Sequence, residues 1–156
     1  IGLRGLSLVC NAAYIYSRVR FEDGAPERDR PLAGQSPCLV NAGLFYQHDD
    51  KGISASLLYN RIGKRIESVG VPMQNESEDI PDIYEMPRNS LDLTFSKKIG
   101  KFVEIKAGVQ DLLNSKVEYK QFVKLTDENG GKREREQLIR SYRPGVDINV
   151  GVSLKF

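Results

Sequence analysis

The side chains that could do chemistry in this chain are few and scattered. The single histidine, His48, is followed by Asp49 and Asp50. An imidazole beside two carboxylates could hold a cation, and the same HDDKG run also reads as a solvated turn. The acidic stretch from Gly70 to Glu85 carries Glu76, Glu78, Asp79 and Asp82. Such oxygens suit calcium or a cationic substrate, or simply a hydrophilic loop. The run KREREQLIR, Lys132 to Arg140, offers cations to phosphate groups or to an acidic substrate. Its interleaved carboxylates favour a solvated loop. Cys10 and Cys38 lack metal-ligand spacing, no Ser-His-Asp order occurs, and no glycine loop is built to cradle phosphate. Neither catalysis, a metal nor a cofactor is expected.

The elements that would position these residues are strands. The last run, Val146 to Phe156, alternates without a fault: Val146, Ile148, Val150, Val152, Leu154 and Phe156 are apolar, with Asp147, Asn149, Gly151, Ser153 and Lys155 between them. In a chain that is 40% hydrophobic, one chosen window shows this pattern by chance on the order of once in 3,000. Period two at this length makes a strand with one apolar and one polar face.

Five more strands are expected upstream. Leu3 to Phe21 sets Leu6, Leu8, Cys10, Ala12, Tyr14 and Tyr16 on one face. Cys38 to His48 alternates Val40, Ala42, Leu44 and Tyr46 with Asn41, Gly43 and Gln47. Ile53 to Ile66 places Ile53, Ala55, Leu57 and Tyr59 against Ser54, Ser56 and Asn60. Asn89 to Lys97 sets Leu91, Leu93 and Phe95 against Asp92, Thr94 and Ser96. Phe102 to Leu113 alternates Val103, Ile105, Ala107 and Val109 with Glu104, Lys106, Gly108 and Gln110, and resumes over Lys116 to Val123 after a kink near Asp111 to Ser115. Gly43, Gly108 and Gly151, inside strands, suggest twist or close packing on the polar side. A hairpin closing over residues 22–36 would put Cys38 opposite a residue near Ser17. Cys10 would then lie about 23 Å away along the strand, too far for a disulfide.

Short connections, HDDKG (His48 to Gly52) and KKIGK (Lys97 to Lys101), alternate with long ones at Glu22 to Pro37, Glu67 to Arg88 and Thr126 to Tyr142. Outer-membrane barrels have this asymmetry, with short periplasmic turns and long external loops. Tyr14, Tyr16, Tyr46 and Tyr59, near the ends of apolar stripes, would suit an aromatic girdle, or simply the strand propensity of tyrosine. The chain has 156 residues and a net charge of +2, too small to argue for nucleic acid as a partner. No window reaches the roughly 18 apolar residues of a membrane helix, which excludes helical membrane proteins and leaves barrels open.

The terminal run GVDINVGVSLKF resembles the C-terminal signature of outer-membrane barrels. In such proteins the alternating residues, here Ile148, Val150, Val152, Leu154 and the final aromatic Phe156, are read by the barrel-assembly machinery. The stretch GVQDLLNSKVEYKQF, Gly108 to Phe122, resembles the penultimate-strand motif of TonB-dependent receptors, with Asp111, Leu112, Leu113, Asn114 and Tyr119 in its places. The segments GQSPCLVNAGLFYQ, GISASLLYNRIGKRI and DIYEMPRNSLDLTFSKKIGK are similar to the Bacteroidetes type of these receptors.

The resemblance, over roughly residues 30–156, implies an all-β, antiparallel up-and-down transmembrane barrel segment of about six strands, spanning 1–156. It implies a bacterial outer-membrane nutrient receptor for a siderophore, haem, cobalamin or glycan. The implied partners are outer-membrane lipid, the rest of its own barrel and plug, the assembly machinery, and TonB through an N-terminal part. No plug or coupling box is present, and no Met or signal peptide opens the chain, so an upstream extension is expected. Six strands fall short of the usual minimum of eight. The competing expectation is a soluble lipocalin-like barrel binding a small apolar ligand, with its apolar stripe turned inward.

Overall fold

Alternation of apolar with polar residues leaves the chain one regular solution, the extended strand. The described residues contain no helix. A computed structural model describes residues 4–22, 24–25, 29–73, 79–126 and 131–155. The strands are β1 (Leu6–Tyr14), β2 (Cys38–His48), β3 (Ile53–Ile62), β4 (Arg65–Ser68), β5 (Ile83–Glu85), β6 (Arg88–Ile99), β7 (Val103–Gln110), β8 (Val117–Thr126), β9 (Lys132–Tyr142) and β10 (Asp147–Leu154).

They form two antiparallel sheets. The six-stranded wall has the order β1-β2-β3-β6-β7-β10, and the four-stranded panel has the order β4-β5-β8-β9. The panel continues the wall. β3 runs into β4, β5 into β6, β7 into β8 and β9 into β10, so six long passes make one uncrossed meander. The pairing leaves β1 and β10 as the two edges of the wall.

Register carries the apolar pattern across all six wall strands. One row reads Leu8, Leu44, Leu57, Leu93, Val109, Ile148, and the next reads Leu6, Tyr46, Ala55, Phe95, Ala107, Val150. The Phe95 ring sits between two alanines, so large and small side chains alternate along that row. On the other face Ser54 meets Ser96 at 2.8 Å, Ser56 meets Thr94 at 2.5 Å, and Asn60 donates to Asn41. A shift of one residue in any pairing would exchange the faces, so the register is strongly fixed.

The core lies in the panel. Ile66, Val117 and Tyr119 are the buried apolar side chains, whereas the buried wall residues are the glycines Gly43 and Gly108. Among the described residues no protein layer covers the wall's apolar face: Ile148 and Val150 are each 72% exposed.

Several expectations are corrected. The first strand ends at Tyr14 rather than Phe21; beyond it Val19 and Arg30 form an isolated bridge, and Tyr16 lies outside the strand. Cys38 pairs with Tyr14, and Cys10 with Ala42, so the register is offset by three residues from that expected and the connection is three residues longer; both thiols are free. The stretch expected to be one strand to Ile66 breaks at Gly63 and Lys64. The connections expected over Glu67 to Arg88 and Thr126 to Tyr142 contain β5 and β9. β9 escapes the alternation rule because Arg133, Glu134, Arg135 and Glu136 leave it no apolar stripe. It is held by its ladder to β8, including Lys120–Glu136 at 2.6 Å.

Candidate functional site

Two features gather the residues singled out by the sequence: the apolar face of the wall, and the break between β7 and β8. On the face, Ile148, Val150, Val152 and Leu154 pair one by one with Val109, Ala107, Ile105 and Val103. Phe156, the last residue of the expected assembly signal, lies outside the described residues, as do Glu76 and Glu78. Charges on this face stand at its two ends. Arg61 and Asn89 pair in one terminal row; Ile53, Lys97 and Ile105 make another.

The break is built by Asp111, Leu112, Leu113 and Asn114. Asp111 and Asn114 take φ of 51° and 43°, a left-handed conformation that Asp and Asn tolerate better than other non-glycine residues. Three bonds close the turn. Asp92 accepts from the Asp111 amide at 2.8 Å, the Leu112 amide donates to the Leu91 carbonyl at 2.8 Å, and the Asn114 amide donates to the Asp111 carbonyl at 2.7 Å. Asn114 then ties the neighbouring break down. Its carbonyl accepts from Arg143 at 2.7 Å and its Oδ1 accepts from the Gly145 amide at 3.1 Å. The Asp111 carboxylate is buried with no hydrogen bond, 3.8 Å from Arg88. Leu112 and Leu113 are exposed, and Tyr119 sits apart from the turn, buried on β8 beneath Arg140 at 4.1 Å.

The panel beyond the break has a second cation–aromatic stack. Lys64 lies 4.1 Å from the Tyr84 ring and 3.8 Å from the Phe122 ring. Burial, then Asp82, pushes the Tyr84 phenol above its ordinary value; Tyr119 is also raised, first by burial and then by its hydrogen bond with Tyr142. Arg65 closes on Glu85 at 2.7 Å. These groups satisfy one another, which makes the panel a self-contained platform for the long loops.

Sequence reasoning missed two sets. Val9, Leu58 and Phe45 form an apolar island on the face that carries Asn41, Ser56 and Asn60, packed over Gly43. A Cβ on Gly43 would meet the Phe45 ring at 2.7 Å and Leu58 at 3.0 Å. The signal was available as apolar pairs that interrupt alternation, Leu44-Phe45 and Leu57-Leu58. The second is the reach of Lys97 across to the Lys51 carbonyl of the neighbouring turn, hidden because a lysine ends a predicted strand without comment. His48, expected in the turn, is instead the last residue of β2, paired with Ile53; its Nδ1 accepts from the Lys51 amide at 3.4 Å, and Asp49 accepts from Gln47 at 2.6 Å. Asp79 and Asp82 cap loop amides, of Met73 and Gly70, both at 2.8 Å. Among the described residues no group of three His, Cys, Asp or Glu side chains is placed to hold a metal ion.

No family model, curated protein or solved structure matches this chain.

Proposed function

We propose that this chain is the C-terminal barrel wall of a TonB-dependent outer-membrane receptor, a nutrient importer for a siderophore, haem, cobalamin or glycan. The observation that carries the membrane part is the continuous apolar face, shared by six antiparallel strands in an uncrossed meander and covered by no other layer. Its strands are 8 to 12 residues long, and roughly 9–11 tilted residues suffice to cross a bilayer. Lipid is the natural solvent for that face, and the polar face then lines the lumen. The two open edges call for further strands of the same barrel.

The receptor part is supported by the resemblance over Gly108 to Phe122, whose Asp111–Asn114 segment forms the break between wall and panel. In this reading the wall holds a plug and the panel carries long external loops that help capture cargo. The short turns face the periplasm, Ile148 to Phe156 present the assembly signal, and TonB engages a part upstream of this chain.

Spin labels test the wall directly. In the intact protein in bilayers, a label replacing Val150 should be open to oxygen and shielded from a water-soluble relaxant, and one replacing Asn149 should show the reverse. A Val150 label shut off from both would turn the apolar face inward, as in a lipocalin-like barrel, and end the membrane reading. Uptake that persists without the proton gradient would remove the TonB-dependent part alone.

A further inference from the structure

The two short turns make one ledge. The Lys98 amide donates to the Gly52 carbonyl at 2.7 Å, and the Lys97 ammonium donates to the Lys51 carbonyl at 2.5 Å. Gly52 has φ +57°, and a Cβ there would meet the Lys98 Cβ at 2.8 Å, so only glycine lets the turns close this tightly.

Lys97 is out of place by composition. It lies on the apolar face between Ile53 and Ile105, with Phe95 and Ile99 two residues away along its own strand. Its stem covers apolar surface while its ammonium reaches the turn, as a lysine at a hydrocarbon boundary does. One of the three ammonium donors is used by the Lys51 carbonyl, which leaves two.

Lys51 and Lys101 stand in the same ledge, and none of these three lysines pairs with a carboxylate among the described residues. Asp49 is taken up by Gln47, and Asp50 lies at the exposed end of its turn. Glu104 pairs with Lys106 at 3.5 Å, and both residues belong to the polar face. Beside the lysines, Ile99 is 51% exposed. Free cations beside an exposed apolar side chain, at the rim of an apolar wall, match a phosphate above acyl chains.

Resting on the membrane reading, we propose that the Lys51–Lys97–Lys101 ledge binds the phosphate headgroup of an anionic glycerophospholipid in the leaflet at the short-turn end, with Ile99 against its acyl chains. The occupant is a boundary lipid; the cargo pathway runs on the other face of the wall.

A fluorophore at Ile99→Cys, with Cys10 and Cys38 changed to Ser, would read the local lipid in the intact protein. Bilayers would mix phosphatidylcholine and phosphatidylglycerol, with bromine on the acyl chains of one or the other. Quenching should favour brominated phosphatidylglycerol severalfold. A lysine near a charged surface is worth at most about fivefold in partitioning, so Lys101→Gln alone should lower the preference and Lys51→Gln/Lys97→Gln/Lys101→Gln should abolish it. Lys97→Arg should keep it. Equal quenching by both lipids in the unsubstituted ledge would overturn the headgroup site while leaving the wall in lipid. Absence of quenching by either would overturn the site together with the membrane reading.

Discussion

Asp111 and Asn114 share a backbone conformation and differ in what their side chains contribute. The Asp111 carboxylate is buried without a hydrogen bond, and its nearest cation is Arg88 at 3.8 Å. Burying an unbonded charge is costly, so Asp111→Asn, which keeps shape and tolerates positive φ, should leave stability unchanged or raise it by about 1 kcal/mol. Asn114→Ala loses the bond to Gly145 and places a side chain ill-suited to φ of 43°. It should cost about 1–2 kcal/mol. Denaturant midpoints of the intact protein would compare the two, and equal losses would mean that the Asp111 charge is structurally needed. Tyr84 gives a pH prediction. Its phenol is raised from 10.0 by burial and Asp82, so the folded state holds the proton more tightly than the unfolded one. The stability this confers is complete below about pH 10 and is lost as pH rises through the folded value. Alkaline unfolding of Tyr84→Phe should therefore be less steep; an unchanged slope would assign the transition elsewhere, with Tyr119 the next candidate.

At the scale of elements, faces matter more than individual side chains. Val150→Lys puts an ammonium on the apolar face and should weaken insertion by about 2–4 kcal/mol, whereas Asn149→Lys, one residue away on the polar face, should be nearly neutral. Folding yield into vesicles distinguishes them, and equal yields would show that the faces are equivalent. The same alternation explains what was legible in the sequence. β2 has the expected bounds, Cys38–His48, because apolar and polar residues alternate up to the turn. The kink between β7 and β8 was legible because Asp111 and Asn114 interrupt the pattern with residues suited to a turn. β9 was not legible: a strand of Arg and Glu is specified by pairing with β8, which no local pattern reveals. The split of β3 from β4 was also hidden, since Gly63 and Lys64 break the ladder without breaking the run of strand-forming residues. The wall face was therefore readable and the panel was not. Of the ledge, only the turns were expected; the approach of Lys97 to Lys51 depends on register.

At the scale of the molecule, the two parts are stabilised differently. The panel has its own buried residues, Ile66, Val117 and Tyr119, whereas the wall exposes its apolar face and both edge strands. In water the wall should associate with other copies, since neither edge carries a charged side chain over Leu6 to Tyr14 of β1 or Ile148 to Leu154 of β10. β9, in the panel, carries alternating charge that discourages the same contact. Cutting back residues 70–80 and rejoining the chain with an Asn-Gly turn should change the unfolding free energy of the intact protein by no more than about 0.5 kcal/mol. A large change would show that this segment braces the wall.

The breaks at Gly63–Lys64, Met86–Pro87, Asp111–Lys116 and Arg143–Val146 stand side by side, and Asn114 ties the last two together. They form a seam. The rows that fix wall register all lie on one side of it, so changes on the far side should leave those pairings in place. Four crossing points also define where an engineer would cut to graft a foreign panel onto this wall.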